Sequence, residues 1–413
     1  MPSRPFVGEV GCECVSRRLA GHDDERAHSD EVRTIDVVSR MSARGIRVAI
    51  DWHMIGQPGV ALSDVGRYQR MLTEALVATA RTDDDIWALV AWPGAVDHIG
   101  PGIAHAGIGH HHRAWHQKDA RDMIDRLGCD VVVASPDGAL QTTVPVIEVV
   151  HDALALTHPE WVARGARARN PAALSRVMDA TSLVIAVSEI ARVDVQSVWG
   201  IPDERIVVIP PAIDRVIIDA EVARARIAAS FGLTHYCVAL GVPGPRANFD
   251  HLAQAVDRID GSRTVVVSPE ASPSHRRERD YARGVRFLGP LTDVVRRDLI
   301  AGADIAAQVS LHDGCGISVL EAMACGVPVI VSDRGALPEL VGTAALIVPP
   351  TVNGIAQGLR AGQDQLTADQ LRASGRARAA EYSYARMGVA AWEVLRGRGR
   401  QTVVFDQTAG AGV

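Results

Sequence analysis

Short runs of Val, Ile, Leu and Ala without polar alternation recur along the chain, separated by stretches of helical spacing. They are "IRVAID" from Ile46, "IWALVAW" from Ile86, "DVVVA" from Asp130, "VPVIEVVHD" from Val144, "SLVIAVS" from Ser182 and "RIVVIP" from Arg205. A strand apolar on both faces is buried on both, which predicts a parallel sheet covered by helices. The step Pro210-Pro211 and a charged stretch to Leu233 interrupt the pattern. A second series then follows, with "YCVALG" from Tyr236, "RTVVVS" from Arg263, "VRFLG" from Val285, "VPVIVSD" from Val327 and "AALIVPP" from Ala344. The expectation is an α/β chain of two Rossmann-like, doubly wound domains, 45–210 and 234–384, with a linker at 211–233. Ligands of such sheets sit beyond the carboxyl ends of the strands, so two facing domains make one interdomain site. Residues 1–44 are polar and without period and read as a disordered extension.

Composition narrows the function classes. With 47% hydrophobic and 22% charged residues the chain is of ordinary globular type, and 413 residues suit two domains. The net charge of -6 argues against nucleic acid as the main partner. No apolar window approaches the roughly 18 residues a membrane span needs, and the first residues lack a signal-peptide core, so a cytoplasmic location is expected. Arg164, Arg167, Arg169 and Arg176 make one segment locally basic. It reads either as a solvated arginine face or as a peripheral contact with anionic headgroups at the inner face of the membrane. The six cysteines are too sparse for a disulfide framework, and Cys12 and Cys14 lack a second ligand pair for a metal. "GHHHRAWH", with His110, His111, His112 and His116, reads as a solvated loop. No metal site and no cofactor are expected.

The segment "SLHDGCGISVLEAMACGVPVIVSDRGALPEL" carries the chemistry. Gly314 and Gly316 bracket a turn, and Ile317, Leu320 and Met323 at helical spacing predict a helix over Ile317 to Ala324. The free N–H groups of a helix N-terminus suit a phosphate; a plain tight turn is the other reading. Asp313 precedes the helix and Glu321 lies within it, eight positions on, a spacing that lets two carboxylates address different parts of an extended ligand.

This segment resembles the E-x7-E region of the retaining glycosyltransferases of family 4, "EGFGLPVLEAMACGVPV". The resemblance implies a GT-B fold, a nucleoside-diphosphate sugar donor, an unidentified acceptor and no metal. Asp313 takes the place of the carboxylate at the donor sugar. Gly314, Cys315, Gly316, Ile317 and Ser318 form the opening that faces the diphosphate, and Glu321 takes the place of the ribose-binding carboxylate. "DVGRYQRML" is similar to the family's "GIGRYTREL", which adds Gly66 to the donor side, with Val65, Tyr68, Leu72 and Leu76 at helical spacing. "VVHDALALTHPEW" resembles the family's "VHDL" and puts His151 at a strand end as a sugar or acceptor contact. "YSYARMGVAAWEVL" resembles the closing segment, implying that a helix within 385–400 crosses back to the first domain, before a tail at 401–413.

Two positions depart from the family. Its "EPRKN" phosphate motif is "GPRAN" here, so the lysine is Ala247, and Arg246 is the cation left to act as a clamp. The first Glu is Asp313, shorter by one methylene of about 1.5 Å. The expected function is transfer of a sugar from a nucleoside-diphosphate donor, of mannose type by the "PRKN"-like resemblance. The alternatives are a catalytically silent protein that binds a sugar nucleotide or supports an active partner, and another GT-B enzyme such as an epimerase, for which no motif speaks.

Overall fold

Most of the apolar runs become strands buried along their length, because helices cover both faces of each sheet. The computed structural model describes residues 45–397, except 53–54, 56–62, 92–94, 97–98, 101–102, 108–116, 136–139, 141, 162–182, 214–217, 242–243, 260–263, 267–284 and 289–290. Cys12, Cys14, the histidine-rich loop, the arginine-rich segment and both chain ends lie outside the described residues. The first sheet is parallel throughout, in the order β3-β2-β1-β4-β5-β6-β7. Its strands are β1 (Arg47–Asp51), β2 (Asp85–Val90), β3 (Ala104–Gly107), β4 (Val131–Ala134), β5 (Val146–Val150), β6 (Leu183–Ala186) and β7 (Ile206–Val208). Helices α1 (Asp64–Thr79), α2 (Gln117–Leu127), α3 (Leu154–Thr157) and α4 (Glu189–Trp199) accompany it.

The second sheet, also parallel, runs β10-β9-β8-β11-β12-β13. It contains β8 (Cys237–Ala239), β9 (Thr264–Val266), β10 (Val285–Phe287), β11 (Ile305–Gln308), β12 (Val329–Ser332) and β13 (Leu346–Val348). Its order is that of a doubly wound nucleotide-binding sheet, and the first sheet adds one strand to the same plan. The helices here are α5 (Ala220–Phe231), α6 (Phe249–Val256), α7 (Asp293–Ala301), α8 (Ile317–Ala324), α9 (Leu337–Val341), α10 (Val352–Gln363), α11 (Gln365–Ala380) and α12 (Tyr384–Leu395). Among the described residues no helix is long and apolar enough to cross a membrane.

Two strands were not signalled by apolar runs. β3 reads "AHAG", an edge strand whose burial alternates, and β11 reads "IAAQ", whose small side chains lack the bulk that marks a strand. The stretch 211–233, read as a linker, contains α5. Asp219 caps that helix by accepting from the Glu221 and Val222 N–H groups, and its Ile227, with Leu233 beyond it, enters the second domain's core. Only Ala223 and Ile227 of α5 are buried, too few to show as an apolar stripe.

The chain crosses between domains twice, and the crossings touch: the Ile213 N–H donates to the Tyr382 carbonyl at 2.7 Å. Beyond Tyr382, α12 returns to the first domain, where Met387, Trp392 and Leu395 join the core built on β1 and α1. The Trp392 indole N–H donates to the Leu76 carbonyl at 3.0 Å, and Arg396 pairs with Asp84. A side chain at Gly388 would run into the Ala75 carbonyl, so the helices approach to backbone contact.

Candidate functional site

The site lies where the first turns of α1 and α8 face each other across the two domains. Ser63 caps α1, its hydroxyl accepting from the Gly66 N–H at 3.3 Å. Gly66 is therefore a buried residue of the helix's first turn rather than part of a loop, and its N–H is engaged. Tyr68, Leu72 and Leu76 turn into the core while Arg67 points toward α8.

On the opposite wall, Gly316 opens α8 with a left-handed φ of 64°, a conformation that favours glycine. Gly314 passes so close to β5 that a side chain there would meet the His151 carbonyl. The buried side chains of Cys315 and Ile317 pack into the first domain's core, so they join the domains and leave only backbone to face a ligand. Burial pushes the Cys315 thiol well above its ordinary range.

Asp313, expected at the donor sugar, bonds its own turn. Its Oδ1 accepts from the Cys315 N–H at 3.1 Å and the Gly316 N–H at 2.6 Å, and its Oδ2 accepts from the Gln308 amide. Asp characteristically bonds its own backbone two or three positions on, as it does here. The carboxylate thus builds the turn and takes two of the N–H groups read as free. Ser318 N–H, in the first turn, has no partner within the helix to bond. Burial, then Asp64, raise the Asp313 pKa; Arg246 and the two N–H groups oppose them.

Glu321 behaves differently. Arg296 of α7 meets both its oxygens, at 2.5 and 2.7 Å, and Arg67 of the first domain meets Oε2 at 2.5 Å. Arg67 also donates to the Ser318 hydroxyl at 3.1 Å and lies 3.6 Å from Asp64. Burial alone would raise the Glu321 pKa, but Arg67, then Arg296, outweigh it and bring the value to about 2. A cavity of about 230 Å³ opens beside this cluster, lined by Arg67, Arg70, Asp293, Arg296, Arg297 and Glu321 among others.

Arg246 stands 3.8 Å from Asp152. Burial would lower its pKa, but Asp313, then Asp152 and Asp64, hold it above the ordinary value. Ala247 turns away, its methyl buried with Phe249, Leu252 and Val309 in a core cluster of the second domain. His151, edge-on to Tyr68 with ring centroids 5.2 Å apart, is kept neutral chiefly by burial. Its Nδ1 has no hydrogen-bond partner among the described residues.

The fold therefore brings Gly66, His151, Arg246, Gly314, Gly316, Ser318 and Glu321 to one cleft. Sequence reasoning passed over Arg67, Arg296, Asp64 and Asp152. Arg67 and Asp64 stood inside "DVGRYQRML" and could have been singled out there; Arg296 has no signal apart from its partner.

Comparison with known proteins agrees with this architecture. Residues 65–216 match the family described as Glycosyltransferase Family 4, and residues 234–362 match Glycosyl transferases group 1, together more than half of the chain. The O-antigen chain mannosyltransferase B of Escherichia coli is 28% identical over 254 residues, which are 58% of this chain and 66% of that protein. This chain matches between 42% and 66% of the length of that protein and two further curated relatives. Among solved structures, the sucrose-phosphate synthase of Thermosynechococcus elongatus superposes with a TM-score of 0.71 at 17% identity, covering 85% of this chain and 98% of that one. HepE of Anabaena, crystallised with UDP and glucose, superposes with a TM-score of 0.66 at 16% identity over 85% of this chain and all of that one. The expected GT-B fold is the one observed.

Proposed function

The chain belongs to the glycosyltransferases of family 4, and on that premise we propose that it transfers a sugar from a nucleoside-diphosphate donor, held between α1 and α8, to an acceptor hydroxyl. One observation carries the reading: two helix N-termini converge on the same gap beside the buried Glu321 and the cavity lined by Arg67 and Arg296. Helix N-termini and guanidiniums are what a diphosphate needs, and a carboxylate suits ribose hydroxyls. The 230 Å³ cavity beside Glu321 would take the nucleoside end, and His151, at the end of β5 beside Gly314, would lie on the sugar or acceptor side.

In the proposed reaction the bond from the anomeric carbon to the diphosphate oxygen breaks through an oxocarbenium-like state. The acceptor oxygen bonds the same carbon on the same face, and its proton leaves on the departing diphosphate. Negative charge grows on the leaving oxygen, and Arg246 with the α8 N-terminus lies where it would be stabilised. Mannose as the donor sugar and retention of configuration follow from the family resemblance.

Ala247 and Asp313 favour a second reading, a protein that binds the donor without turnover. Ala247 sends no charge into the cleft, and Asp313 spends its carboxylate on its own turn. Calorimetric titration with UDP-, GDP- and ADP-sugars, followed by a donor-hydrolysis assay, decides between them. Binding with turnover is expected; tight binding without turnover establishes the silent reading, and no binding to any sugar nucleotide removes both.

A further inference from the structure

We propose that Arg67 is a second cation, besides Arg246, that meets the donor's diphosphate, and that Glu321 holds it in reserve while the cleft is empty. This rests on the donor-site reading above. No cation reaches the gap from position 247, where the Ala247 methyl is 6% exposed within the core. Arg246 stands beside Asp152, at 3.8 Å.

Three features suit Arg67 to this role. Its side chain is 8% exposed and sits at the opening of α8, bonded to Ser318. The N-terminal end of a helix dipole is positive, so a guanidinium there is unfavourably placed until an anion lies between them. Finally, Arg296 engages both carboxylate oxygens from within the same domain, so Glu321 keeps one guanidinium when Arg67 leaves it.

These facts describe an exchange of one ion pair for another. Ribose hydroxyls donate to Glu321 in place of Arg67, and Arg67 turns to phosphate oxygens beside Ser318 in place of Glu321. Arg296 stays paired with the carboxylate throughout. Since Arg67 belongs to the first domain and Glu321 and Ser318 to the second, the same exchange keeps the cleft closed over the donor. The carboxylate acts as a placeholder for the phosphate.

The test compares the wild type with Arg67→Gln and Arg67→Lys. UDP and GDP are titrated calorimetrically, and whichever binds is compared with its bare nucleoside, uridine or guanosine. Arg67→Gln is expected to weaken the diphosphate by at least about tenfold, the size of one charge-assisted hydrogen bond. The nucleoside should bind as well as before or better, because Glu321 has been released. Arg67→Lys should fall between, and added methylguanidinium should restore part of the diphosphate affinity of Arg67→Gln. Parallel weakening of nucleoside and diphosphate, or no change in either, overturns the role of Arg67 while leaving the donor site intact. If neither UDP nor GDP binds the wild type, the donor-site reading falls and takes this inference with it. Circular dichroism checks that each variant is folded, and Arg67→Lys carries the comparison should Arg67→Gln not be.

Discussion

Glu321 is buried because two guanidiniums come with it, and that makes it a source of both stability and pH dependence. Removing one partner of a buried ion pair typically costs about 3–5 kcal/mol. Glu321→Gln is expected to lose about 3 kcal/mol in urea unfolding at neutral pH. The folded pKa of about 2 lies below the ordinary value of 4.5. Between those values the unfolded chain binds more protons, so this stability is present above about pH 4.5 and lost as pH falls toward 2. The variant should show a flatter pH dependence in that window. Asp313 and Glu321 look alike in the sequence, as two carboxylates on one motif. The fold separates them, since Asp313 is short enough to bond its own backbone and Glu321 finds its partner in the other domain. Arg67 and Ser318, which meet there, lie 251 positions apart. No local pattern could have joined them.

Among the elements, α9 and α4 make a contact between the domains that is sensitive near neutral pH. The Glu339 carboxylate accepts from the Glu189 N–H at 3.0 Å, capping the N-terminus of α4 from the opposite domain. Burial, partly opposed by that N–H, raises its pKa from 4.5 to about 7. Glu189 raises it further, while the Ile190 N–H and Arg192 oppose. Arg378 and Tyr382 pack nearby on the α9 carbonyls. Because the folded state holds the proton more tightly, the contribution is full below about pH 4.5 and lost as pH rises through 7. Glu339→Gln keeps an amide oxygen to accept from Glu189. It is therefore expected to flatten the thermal-stability profile between pH 4.5 and 7 and to be the more stable form at pH 8, by about 2 kcal/mol. Scanning calorimetry across that range checks it. The elements themselves were largely legible: uninterrupted Val and Ile runs mark buried parallel strands, and α8 covers the predicted Ile317 to Ala324. β3 and β11 were not, because alanine and glycine carry little strand signal, and α5 was taken for a connection because its apolar face is so narrow.

At the scale of the whole molecule, α12 makes the chain's last helix part of the first domain's core. Trp392 is 4% exposed there, and replacing a buried Trp with Ala costs about 3–5 kcal/mol. Trp392→Ala is expected to lower the hydrogen-exchange protection of α1 and β1 strongly and that of α10 little, since α10 packs in a separate cluster. Equal loss in both domains would mean that they unfold as one unit. The pinned crossings at Ile213 and Tyr382 bear on the order of events in a catalytic cycle. Ile213 and Tyr384 also line the arginine-rich cavity, so that cavity lies beside the crossings, about which a hinged opening of the domains would turn. Near a pivot, rotation displaces atoms least, while the mouth of the cleft travels furthest. A donor lodged there would keep its nucleoside end in place as the mouth opens to exchange acceptor for product. If the proposed transfer takes place in this cleft, product-inhibition kinetics should show an ordered sequence, in which the nucleotide is the first ligand to arrive and the last to leave.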